Sequence, residues 1–183
     1  LTVKLAWNTV DFGNNGSGQP QGQPVSINAL TATAGATAGT YTVTSPVAIP
    51  AGQTGTLRVM MDGHPAGDVT TAGSFTDRLA VKSVFKDVAI SGTVTARRAS
   101  VDIAKCNVCH DTLSLHGNNR SNEVGVCVTC HNPNATDAAR RPAAGGVDGK
   151  AEEAIDFKTM VHSIHAGQTG VRSKGLVVYG FGG

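Results

Sequence analysis

Residues 106–131 read CNVCHDTLSLHGNNRSNEVGVCVTCH. All four cysteines of the chain lie in this stretch, as two CxxCH units: Cys106, Cys109 and His110, then Cys127, Cys130 and His131. CxxCH is the attachment signature of c-type haem. Each thiol adds to a haem vinyl group to form a thioether, and the histidine that follows becomes an axial ligand of the iron. Two residues between the cysteines let one short turn reach both vinyls on one edge of the macrocycle. The adjacent histidine then swings its imidazole under the metal.

The same cysteines also form C-x2-C-x17-C-x2-C, inside the spacing range of a four-thiolate zinc site. The histidines separate the two readings. With 6 His in 183 residues, a histidine after both pairs is about a one-in-a-thousand coincidence of composition. Four thiolates need neither histidine. A disulfide across a two-residue gap is strained and leaves the histidines unexplained. The sequence therefore implies two covalently bound haem c groups.

Working outward, 183 residues suffice for one or two small domains. Aromatic residues make up only 4% and glycine is abundant at 23 residues, which points to short strands and turns rather than a helical bundle. The net charge of +2 carries no basic run and gives no reason to expect nucleic-acid binding; four haem propionates would bring the loaded protein to about −2 before the irons are counted. No apolar run is long enough to span a bilayer as a helix. The chain opens at Leu1 without a signal-like segment, which reads as a processed form or a fragment. Because haem is attached on the exported side of the cytoplasmic membrane, the expected location is the periplasm or the cell surface.

Residues 1–97 hold no cysteine and one histidine. Alternating runs predict strands over 1–10, 24–33, 40–47, 55–62, 79–85 and 88–90, separated by segments rich in Gly, Asn, Pro and Gln. Such spacing suggests a Greek-key sandwich or barrel. His64 lies in a turn, Met60 and Met61 read as strand packing, and Asp11, Asn14 and Asn15 are too loose a set for a calcium site. The composition shifts near 95–102, so a mainly β domain over 1–97 and a c-type haem domain over 98–183 are expected. The latter should be haem-packed, mostly irregular and partly helical. One helix is expected over 150–166, with Glu152 and Glu153 in its first turn and an apolar stripe of Phe157, Met160, Val161 and Ile164.

Each iron needs a second axial ligand, and His116, His162 and His165 are the candidates. His116 stands six residues after His110, and its chain would have to circle the macrocycle to reach the opposite face of the same iron. It is therefore expected to serve a different haem. His162 and His165, three apart on one helix, could each ligate a different haem. Two haems need two of these three histidines, and the surplus suggests a third haem beyond the C-terminus in a longer chain. Arg140 and Arg141 pair with propionates or are solvated.

The run ARRASVDIAKCNVCHDTLSLHGNNRSNEVGVCVTCHNPNATDAARR, with FKTMVHSIHAG and VYGFGG after it, resembles the outer-membrane decahaem c-type cytochromes of the OmcA/MtrC type. The resemblance covers about residues 96–183. It implies Greek-key β domains alternating with pentahaem domains and bis-histidine irons. It implies Cys106, Cys109, Cys127 and Cys130 as thioether residues, His110 and His131 as proximal ligands, and His116, His162 and His165 as distal ones. It further implies electron transfer to extracellular metal oxides or flavins, with other cytochromes or haem domains and a porin as partners. This chain has two haem motifs where that family has ten.

Three functions are open at this point. A multihaem electron carrier requires both faces of each iron to be closed. A haem redox enzyme requires one open iron, which the surplus of histidines disfavours. A zinc-ribbon interaction module predicts a colourless protein.

Overall fold

The computed structural model describes residues 1–8, 22–66, 77–166 and 176–180. The loop of Asp11, Asn14 and Asn15, set aside above as a calcium site, lies outside them. The N-terminal part is built on one antiparallel sheet of four strands. These are β1 (Thr2–Asn8), β2 (Val25–Asn28), β5 (Gly55–Asp62) and β6 (Val84–Ser91), in the order β2-β1-β5-β6. Two short strands, β3 (Thr33–Ala34) and β4 (Tyr41–Thr42), pair with each other. The chain is thus mainly β, as its composition suggests; a second facing sheet or closure into a barrel is not among the described residues.

Period-two alternation gives the sheet two chemically different faces. On one face Val3 stands opposite Ile27, Leu5 opposite Val25 and Trp7 opposite Leu57. Trp7, Val25 and Ile27 form its buried cluster, with Val43, Val47 and Ile90 packed against them. The other face carries Lys4, Arg58, Met60, Asp62, Phe85 and Asp87, by the pairs Lys4–Met60, Ala6–Arg58, Met60–Phe85 and Arg58–Asp87. Lys4, Arg58 and Asp62 are nevertheless buried. A charged sheet face escapes water only if polar partners meet it: Ser26 and Asp87 of the sheet supply some, and the Gly125 carbonyl and Arg120 of the C-terminal part supply the rest.

That part contains α1 (Ile103–His110), a hairpin of β7 (Ser114–Leu115) and β8 (Arg120–Ser121), α2 (Val124–Cys130) and α3 (Phe157–Ala166). Helix α2 meets the sheet at Gly125. A Cβ there would collide with the Phe85 ring, so only glycine permits the approach. Arg58 joins the two layers. It donates to both carboxylate oxygens of Asp87 at 2.7 Å and to the Gly125 carbonyl at 3.1 Å. Its guanidinium lies 3.9 Å from the centre of the Phe85 ring.

Four expectations about elements change. The run 24–33 is one strand only over Val25–Asn28, because the Asn28 side chain accepts from Leu30 N at 3.0 Å and turns the chain at Ala29–Thr31 before β3. Only Tyr41–Thr42 of the run 40–47 forms a strand, because Ser45 Oγ bonds the backbone N–H and C=O of Val47 and draws it out of any ladder. The runs 79–85 and 88–90 become one strand starting at Val84; Ser83 turns away to exchange hydrogen bonds with Ser121. The C-terminal helix starts at Phe157, not near 150. Asp156 caps it, accepting from Thr159 N at 3.2 Å. Residues 153–155 instead run beside 135–137, with Ala154 bridged to Thr136 and Ile155 N donating to the Ala135 carbonyl. Glu153 therefore pairs with Lys150 rather than with a helix dipole.

Candidate haem-binding site

Each CxxCH unit occupies a short helix. In α1, Asp102 caps the N-terminus through Ala104 N at 2.9 Å. Cys106 and Cys109 then fall on one side, a turn apart. His110 is the last helical residue, and Asp111 ends the helix at φ 53°. In α2, Glu123 caps Gly125 N. Cys127 and Cys130 repeat the spacing, and the N–H of His131 donates to the Cys127 carbonyl at 2.9 Å. All four thiols are free. Among the described residues, no three Cys, His, Asp or Glu side chains converge on a point that could hold a metal ion, so the cysteines are not gathered as a four-thiolate zinc site requires. Burial pushes the Cys127 thiol up to about 11 and raises that of Cys130 as well.

The hairpin β7–β8 brings His116 to His131, and α3 brings His165 to His110. The first pair of rings has centres 6.1 Å apart and planes at 26°. The second has centres 6.2 Å apart and planes at 84°. Two imidazoles bound through one nitrogen each to opposite sides of a metal have ring centres roughly 6 Å apart, given bonds of about 2 Å and about 1 Å from each nitrogen to its ring centre. Rotation about the shared axis is free, so either angle is compatible. Each pair joins one CxxCH histidine to one distant histidine. His162 is exposed on α3.

Two of the four imidazoles are oriented by carbonyls. His131 Nδ1 lies 2.8 Å from the Ile155 carbonyl, and His165 Nδ1 lies 2.8 Å from that of Val161. A carbonyl can only accept, so Nδ1 carries the proton and Nε2 keeps its lone pair for a metal. Burial lowers the pKa of His131, and partial loss of solvent followed by the charge of Arg120 lowers that of His116. Both therefore stand as neutral imidazoles, the form that ligates. Thiols one turn apart, a following histidine, Nδ1–carbonyl bonds and the ring separation all fit haem c.

Arg141 has a different task from the ones its position suggests. It is buried, with Nε donating to Asp137 Oδ1 at 2.8 Å and Nη1 to Asp148 Oδ1 at 2.6 Å. Its Nη2 donates to the Val177 carbonyl at 2.6 Å. Tyr179 N closes the cluster on Asp137 Oδ2 at 2.9 Å. It is thus neither solvated nor a propionate partner but the clamp that docks 176–180. Arg140 is exposed. The β7–β8 hairpin was not among the expected elements, although the HGNN of 116–119 is a turn signal. His64 lies outside any strand, with Nδ1 3.3 Å from the Pro65 carbonyl, and Met60 is buried in the sheet.

Residues 98–178 match the family described as outer membrane cytochrome MtrC/MtrF-like, domains II/IV. No curated protein and no solved structure matches the chain.

Proposed function

From the match of residues 98–178 to the MtrC/MtrF-like outer membrane cytochromes, we propose that the chain belongs to that family and is a bis-histidine multihaem electron carrier. The family is one of c-type electron-transfer proteins at the outer membrane rather than of classical enzymes. In this reading Cys106 and Cys109 hold one haem c and Cys127 and Cys130 a second. His110 and His165 ligate the first iron; His131 and His116 ligate the second. Bound haem supplies one-electron chemistry at iron. The chain's own residues fix the imidazole tautomers, and with two histidines to each haem they would keep water and small substrates off the iron. That arrangement favours electron transfer over an open-site reaction such as nitrite or peroxide reduction.

The single observation that carries this is the pairing of the four histidine rings near 6 Å, each pair crossing from a CxxCH helix to a separate element. Residues 1–97 form a β domain under this reading and 98–183 a haem domain. His162 stands outside both pairs. The acceptors are extracellular metal oxides or flavins, reached from the cell surface in company with other cytochromes and a porin. No described helix is long and apolar enough to cross a membrane, and the reading asks for none.

The test is an absorption spectrum of purified protein, oxidised and reduced, beside its intact mass. Sharp low-spin bands with the mass of two haems are expected. High-spin bands would favour the enzyme, and a colourless zinc protein would overturn the reading.

A further inference from the structure

The turn that carries His116 is fastened to the β sheet along its length, while Asn107 of α1 holds the two ends of the hairpin, at Leu113 N and Asn122 Oδ1. His116, Gly117 and Asn118 are left-handed in succession, at φ 55°, 64° and 67°. L-residues avoid that region, and a histidine there needs contacts that over-determine it. Within the turn, Asn119 Nδ2 donates to the His116 carbonyl at 2.8 Å; further contacts come from the N-terminal part. Gly63 N, just past β5, donates to the Asn119 carbonyl at 2.9 Å. Asn118 Nδ2 donates to the Arg78 carbonyl at 2.6 Å. Ser83 N donates to the Ser121 carbonyl at 2.9 Å, and Ser121 N returns a bond to Ser83 Oγ at 3.1 Å. Arg120 Nε, four residues from His116, lies 2.9 Å from Asp62 Oδ2. Asp62 has a side chain only 2% exposed, and Lys4 Nζ approaches the same oxygen at 4.0 Å.

Asp62 is the hub of this attachment. It ends β5, is buried between Lys4 and Arg120, and is the one carboxylate in the attachment among the described residues. A buried carboxylate with two cations fixes their positions because removing it leaves charge uncompensated. We propose that Asp62 is a positioning residue for the second haem: through Arg120 and the 116–121 turn, the β sheet holds His116 on that iron and so governs its coordination state. The inference rests on the bis-histidine reading above. It gives the β part a role in the redox centre beyond that of a spacer.

The experiment uses the haem-loaded full chain. In Asp62→Asn, His116 is expected to leave the iron in a large fraction of molecules. The ferric spectrum should gain a high-spin component from one haem of the two, and the ferrous protein should bind carbon monoxide at that haem alone. Added imidazole should restore the low-spin spectrum, which a global loss of structure would not allow. Asp62→Glu, which keeps the charge, should remain low-spin. Arg120→Gln removes the same ion pair from its more exposed side and should reproduce the effect if Asp62→Asn fails to fold. Two low-spin haems inert to carbon monoxide in both Asp62→Asn and Arg120→Gln would overturn the positioning role while leaving the bis-histidine reading intact. A wild-type protein without two low-spin haems would overturn both.

Discussion

At the scale of single residues, the decisive atoms are imidazole nitrogens. His165 gives its Nδ1 proton to the Val161 carbonyl within its own helix, and His131 gives its proton to the Ile155 carbonyl. Each ring is thereby presented through Nε2. His165→Ala should open one iron, so about half of the haem absorbance should turn high-spin and bind carbon monoxide. His162→Ala should leave both haems low-spin, because the ring that meets His110 belongs to His165. The residue types at this site were legible in the sequence, since CxxCH has few other meanings. Which distant histidine meets which motif was not. His162 and His165 stand three apart on one helix, and only the placement of α3 separates them. His116 was expected to serve a haem other than that of His110, and its ring lies beside His131.

At the scale of elements, packing decides what periodicity leaves open. The run Val3, Leu5, Trp7 announced the core face of β1, and Trp7 is fully buried there. Trp7→Ala should cost about 3–5 kcal/mol, read from the denaturant midpoint. The contact of α2 with the sheet had no sequence signal beyond a glycine in a helix. Gly125→Ala should lower stability by about 1–3 kcal/mol, since the new methyl meets the Phe85 ring. The early boundary expected for α3 failed for a related reason. Glu152 and Glu153 look like helix-start residues, but the Glu153 backbone is held by Asp137 at both its N–H and its carbonyl. Burial alone would raise the Asp137 carboxyl. Bonds from Arg141 and from the N–H groups of Tyr179 and Glu153 outweigh it and hold the pKa below the usual range. A depressed folded-state pKa stabilises above the unfolded value of about 3.9 and is lost as pH falls through the lower folded value. Docking of 176–180 should therefore persist down to about pH 4 and fail below it. Hydrogen exchange at the Tyr179 amide would follow this; release already near neutral pH would refute the clamp.

At the scale of the molecule, the sheet has an apolar face that makes a core and a charged face that meets the CxxCH segment. A sequence reading finds the first, because alternation marks it. It misses the second, because Lys4, Arg58 and Asp62 look like solvent-facing residues until α2 and the 116–121 turn cover them. This face is what ties the two parts together, through Arg58 to Gly125 and Asp62 to Arg120. The central claim is that four histidines close two irons in pairs. The most direct measurement is the electron paramagnetic resonance spectrum of the ferric, haem-loaded protein. The near-parallel rings of His116 and His131, at 26°, should give a rhombic low-spin signal. The near-perpendicular rings of His110 and His165, at 84°, should give a much more anisotropic one. Two low-spin signals of these two kinds in equal amount are predicted. A ferric high-spin signal of comparable size, or no haem iron at all, would contradict the account.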